Sequence, residues 1–166
     1  MNRLVVYDVP YGVGDEAVKR WREYRADLDE ALAQGRTDEA LTAFMRRGGA
    51  SADDLSAARA APFWDELLSL APTLAHDAAV LGDDGSPSHR CANIGQPTLV
   101  LTRSTSDPYM PALPVDFFDA AAAAVATALP HPSRHTIDAP GHAVDAAAVA
   151  RPVRAFLSRV RRQTSQ

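Results

Sequence analysis

Three short strand-like runs constrain this chain more than anything else in it. They are Arg3 to Tyr7, Pro97 to Thr102 and Arg134 to Asp138. The first two are rich in Val and Leu and are bounded by Pro, Gly or Asp, as expected of strands buried on both faces. What separates them reads as helix. Strands alternating with helices predict a parallel sheet with helices packed on its faces, an α/β fold.

The helical stretches carry their own punctuation. Asp15 to Gln34 has Val18, Trp21, Leu28 and Leu32 near one face, with Gly35 as a stop. Thr37 is the expected cap of a second helix, with Leu41, Phe44 and Met45 inward, broken at Gly48-Gly49. Ser51 with Asp54 three residues on predicts a capping box. Pro62 and Pro72 open two more short helices, the latter running through His76 to Leu81. Residues 15–82 are therefore expected to form a helical insertion between the first and second strands. Residues 83–166 then hold a short helix at 89–94, the second strand, an Ala-rich helix at 115–129 and the third strand. A last helix is expected at 146–161, bent or restarted at Pro152. No repeat or low-complexity linker divides the chain, so a single domain of 166 residues is expected.

Composition limits the partners. The formal net charge is −4 and the isoelectric point about 5.7, and no concentrated basic face is present, which argues against nucleic acid. No window approaches the roughly 20 apolar residues of a membrane span. The single cysteine, Cys91, can form no internal disulfide and has no CxxC companion. The other histidines, His76, His89, His131 and His135, show no metal-ligand spacing. No cofactor or metal is expected, and a cytoplasmic location fits best.

In open α/β sheets, function collects in the loops at the carboxyl ends of the strands. Those loops hold Tyr11, Asp107, Tyr109 and His142. Asp107 and His142 are the informative pair, because one helix and one strand lie between them and both should emerge on one edge of the sheet. A carboxylate accepting a hydrogen bond from an imidazole fixes its tautomer and steadies the imidazolium formed in catalysis. Read alone, Asp107 serves equally as a turn residue before Pro108, and His142 as a surface-loop histidine. Tyr11 and Tyr109 are candidates for contact with an apolar substrate. So is Trp21, although core packing is the commoner role for a tryptophan on a helix.

Taken in order, these segments resemble the C-terminal half of an α/β-hydrolase. Leu4-Val5-Val6-Tyr7 followed by Asp8-Val9-Pro10 resembles the sixth-strand segment, with Asp8 where the family usually has Glu. Residues 15–82 resemble the helical cap. Pro97 to Leu101 and Ser106-Asp107-Pro108 resemble the seventh strand and its acid loop, and Gly141-His142 the histidine loop. The resemblance implies a partial α/β-hydrolase fold and an esterase-type ancestry, with Asp107 and His142 as acid and base and a small, fairly apolar ester as substrate. Five strands, the oxyanion loop and the nucleophile elbow have no counterpart. No Gly-x-Ser-x-Gly occurs, and neither Ser51 nor Cys91 sits on a strand-to-helix elbow.

Three readings follow: a hydrolase piece inactive alone, a non-catalytic ligand-binding or interaction module, or one chain of a split hydrolase. In each, the resemblance implies that Arg3 to Tyr7 is an open sheet edge, prone to pairing as a homodimer or with a partner chain.

Overall fold

The computed structural model describes residues 2–87, 89–107, 113–138 and 145–159. They divide into two compact units, one built from residues 2–11, 87, 89–107, 114–138 and 145–159, the other centred on 12–86.

The first unit contains the sheet. Strands β1 (Leu4–Tyr7), β2 (Thr98–Arg103) and β3 (Pro132–Ile137) lie side by side in that order, all parallel. The chain thus has the expected three-stranded parallel sheet with flanking helices. In register, Tyr7 faces Leu101, and Leu101 faces His135. All six residues of β2 are buried, as expected of a central strand covered on both sides. Alternation sorts its side chains between two helices. Val100, with Val6, packs on Ala122, Val125 and Leu129 at one face. Leu99 and Leu101, with Val5, Tyr7 and Ile137, pack on Ala148, Val149, Val153 and Phe156 at the other.

The helices are α6 (Val115–Ala128) and α7 (Ala146–Arg159). In α6 the buried residues Phe118, Ala121, Ala122 and Val125 repeat at helical spacing, and the alanines let the helix lie close to the sheet. Arg3 ties β1 to the end of α7. Its guanidinium donates to the carbonyls of Phe156 and Leu157 at 3.0 and 2.5 Å. Carbonyls in a helix's last turn have no partner within the helix, and a cation there also meets the negative end of the dipole. Pro152 lies inside α7, and a 3-10 turn spans His89–Asn93. The third strand starts two residues earlier than expected, at Pro132. Pro is tolerated there because it is the first residue of an outer strand.

The second unit is helical: α1 (Asp15–Ala33), α2 (Thr37–Gly48), α3 (Ala52–Arg59), α4 (Trp64–Leu70) and, after a 3-10 turn at Ala71–Thr73, α5 (Leu74–Leu81). The end of α1 is a Schellman motif. Gly35 is left-handed at φ 69°, its N–H donates to Leu32, and the Arg36 N–H reaches back to Ala31 at 2.8 Å. Gly49, at φ 100°, ends α2 in the same way. The capping box of α3 is present, with Asp54 N–H donating to Ser51 Oγ at 3.1 Å and Ser51 N–H to Asp54 Oδ2 at 2.8 Å.

Two expectations fail in this unit. Thr37 makes no capping bond; it is the first helical residue, and Arg36 occupies the cap position. The Schellman turn places Arg36 there, and its guanidinium pairs with Glu30 and Glu39. Phe44 is 47% exposed. The buried face of α2 runs instead through Ala40, Leu41 and Thr42.

Candidate active site

The carboxyl ends of the three strands are cross-tied, and Asp107 emerges from that edge. The last rung between β1 and β2 is the Asp8 N–H to the Leu101 carbonyl, 3.0 Å. At Asp8 the backbone then turns through φ 45°. This left-handed conformation is uncommon outside glycine, though Asp tolerates it better than most residues. Such a conformation costs on the order of 1–3 kcal/mol and persists only where the surroundings impose it. Here they do. The Asp8 carboxylate accepts the Arg103 backbone N–H at 3.3 Å on one oxygen and the Arg103 Nη1 at 2.6 Å on the other. Both side chains are wholly withdrawn from solvent.

The Arg103 guanidinium also lies over the Phe118 ring, 4.2 Å from its centroid. Phe118 is in the first turns of α6, and Phe117 meets it edge-on at 5.2 Å. Arg103 ends β2 four residues before Asp107, so this contact joins the end of β2 to the first turn of α6. On the other side, Ser104 N–H donates to the Ile137 carbonyl at 2.9 Å, and Ser104 Oγ to Asp138 at 3.3 Å. That fixes the start of the acid loop to the end of β3.

Asp107 itself is 9% exposed, a low value for a loop carboxylate. His142 and Tyr109 lie outside the described residues. Tyr11 belongs to the same unit as Asp107. It is half-buried beside Val9, Cys91 and Ile94 in the cluster under α6, and burial raises its phenol above the ordinary range. Burial raises the Tyr7 phenol too, reinforced by the neighbouring Asp8 charge and opposed by Arg103.

Trp21, in the helical unit, is a packing residue. It is 2% exposed, and its indole N–H donates to the Gly82 carbonyl at 2.7 Å. Tyr24 packs at 5.6 Å between ring centroids, and the Arg47 guanidinium lies 4.7 Å from the ring centre. Gly85 approaches so closely that a Cβ there would come within 2.5 Å of the indole. The ring's surfaces are taken by the unit's own residues.

A groove of about 610 Å³ runs between β3 and α7, lined by Leu99, Thr136, Ile137, Ala148, Pro152 and Phe156 among others. Neither Asp107 nor Tyr11 lines it.

Sequence reasoning noted Asp8 only as a departure from the family pattern and did not single out Arg103. A signal was present: Asp8 follows the first strand run, Arg103 closes the second, and the charges are opposite.

No family model and no curated protein matches the chain. Among solved structures it is similar to an alpha/beta hydrolase from Sphaerobacter thermophilus DSM 20745, at 30% sequence identity and a TM-score of 0.66. The match covers 94% of this chain and 58% of that one, so the chain spans little more than half the length of the protein it resembles. The chain is related to the α/β-hydrolases and carries part of their fold.

Proposed function

We propose that this chain holds the acid–base half of an acyl-transfer site, with Asp107 orienting His142, and that it does not hydrolyse substrate by itself. The observation that carries this reading is the placement of Asp107, a 9% exposed carboxylate at the carboxyl end of the central strand. A buried carboxylate at that edge is a suitable orienter for an imidazole.

In this mechanism His142 takes the proton of an attacking serine hydroxyl and then returns it to the leaving alkoxide. Asp107 holds the tautomer and offsets the imidazolium charge without itself being protonated. The serine and the backbone N–H groups that hold the oxyanion come from sequence outside these 166 residues, which contain no Gly-x-Ser-x-Gly. The substrate class is a small, fairly apolar ester, with Tyr11 and Tyr109 as contacts. Residues 15–82 act as the cap of such an enzyme. A cytoplasmic location is part of this reading and rests on the single cysteine.

The test is hydrolysis of a short-chain aryl ester by the purified chain and its His142→Ala and Asp107→Asn variants. The chain alone should show no turnover that depends on His142. Addition of a chain bearing a serine elbow should produce turnover that both variants abolish. Turnover by the chain alone, lost in His142→Ala, would sink the claim of incompleteness.

One observation favours a second reading, in which the chain acts through association. Among the described residues β1 pairs only with β2, and Leu4 on β1 is 37% exposed. An open parallel edge is a template for another strand, from a second copy or a partner chain. Light scattering at several concentrations decides this. A monomer that unfolds cooperatively at high temperature would eliminate it.

A further inference from the structure

We infer that Asp8 and Arg103 are positioning residues for Asp107: their buried ion pair, stacked on Phe118, clamps the base of the acid loop and sets where its carboxylate stands. The inference rests on the acid–base reading above and adds to it the device that would hold the acid in place.

Two carboxylates, Asp8 and Asp107, leave the same edge of the sheet from adjacent strands. The contacts of Asp8 give it a structural part to play. Both oxygens of Asp8 are engaged by Arg103, one by its guanidinium at 2.6 Å and one by its backbone N–H at 3.3 Å. A carboxylate occupied in this way and sealed from solvent is a structural anchor.

What it anchors is short. Arg103 is the last residue of β2, and Asp107 follows four residues later. The start of α6 is tied to the same residue through Phe118, under the Arg103 guanidinium at 4.2 Å. Arg suits this place because its planar group can donate along its edge and stack on its face at once. The left-handed backbone at Asp8 fits the same account, since a conformation of low intrinsic stability at a strand end is kept where a specific side-chain placement requires it. A functional group held by neighbours that are themselves locked keeps its geometry to fractions of an ångström.

The test reads the imidazole of His142 by NMR, assigned by its loss in His142→Ala, and needs no turnover. A carboxylate partner raises an imidazole's pKa. The Asp107→Asn variant should lower that of His142, which defines the full effect. The double variant Asp8→Asn, Arg103→Met removes both buried charges together, so that neither is left unpaired, and Asn tolerates the left-handed backbone. It should fold, with an unchanged circular dichroism spectrum, yet show at least half of the Asp107→Asn shift. A folded double variant whose His142 titrates as in the parent overturns the inference while leaving the acid–base reading intact. If Asp107→Asn itself leaves His142 unmoved, the acid–base reading fails and the inference falls with it. Should the double variant not fold, Arg103→Lys decides. That variant keeps the charge and loses the planar stack, so a reduced shift supports the clamp and an unchanged His142 overturns it.

Discussion

Asp8 and Arg103, 95 positions apart in the chain, meet at 2.6 Å with neither side chain exposed to solvent. Taking two charges out of water is costly, and a buried pair recovers this only while both partners are present. Asp8→Asn should therefore destabilise the chain by about 3–5 kcal/mol, because it removes the Asp8 charge from beside a buried guanidinium. Removing both charges, as in Asp8→Asn with Arg103→Met, should cost clearly less. Urea unfolding of the two single variants and the double variant gives the coupling directly. Additive effects would mean that the pair is not coupled.

The central strand supplies a second prediction. Leu101 is fully buried, whereas Leu4 on the neighbouring strand is 37% exposed. Leu101→Ala should cost about 2–5 kcal/mol from lost burial and the cavity left behind. Leu4→Ala should cost much less. The comparison uses the same residue type in one sheet, so the difference in unfolding midpoint reports burial alone.

Gly85 should not tolerate a side chain. It sits at φ 56°, and an added Cβ would lie 2.5 Å from the Trp21 ring. Both strain and overlap act against Gly85→Ala, each on the order of 1–3 kcal/mol. Near-ultraviolet circular dichroism and fluorescence should change with stability, since the indole must move. Gly48, with open space around its Cβ position, is the control, and Gly48→Ala should be close to neutral.

The helical unit should lose a little stability in acid through Asp38. The hydrogen bond from Arg59 holds its carboxyl below the usual range, opposed by some desolvation. A carboxylate depressed in the folded state contributes stability above its unfolded value, near 3.9, and loses it as pH falls below that. The pair is largely exposed, so the effect is small. Asp38→Asn should flatten the stability profile below about pH 4 and leave its slope above pH 5 unchanged. An unchanged acid slope would show that the Asp38–Arg59 contact carries no linkage.

Much of the local structure was legible from the residues. Gly35 and Gly49 end their helices because a left-handed residue lets the last carbonyls find donors, and glycine takes that conformation most easily. Ser51 and Asp54 satisfy each other's backbone donors within four residues. Phe44 was misplaced because periodicity finds an apolar stripe but not the neighbour that covers it. In α2 the covered face is centred on Ala40 and Leu41.

Two things were determined by the sequence alone: a sheet of three strands separated by helices, and an acid at the end of the middle one. These follow from short-range rules, in which apolar runs seek burial and Gly, Pro and capping residues close each element. Only the tertiary structure decided that Asp8 is held by Arg103, and that Trp21 packs inside its unit. Those outcomes depend on contacts between residues such as Asp8 and Arg103 or Trp21 and Gly82, far apart along the chain. The strength of such contacts comes from the water that folding excludes around them.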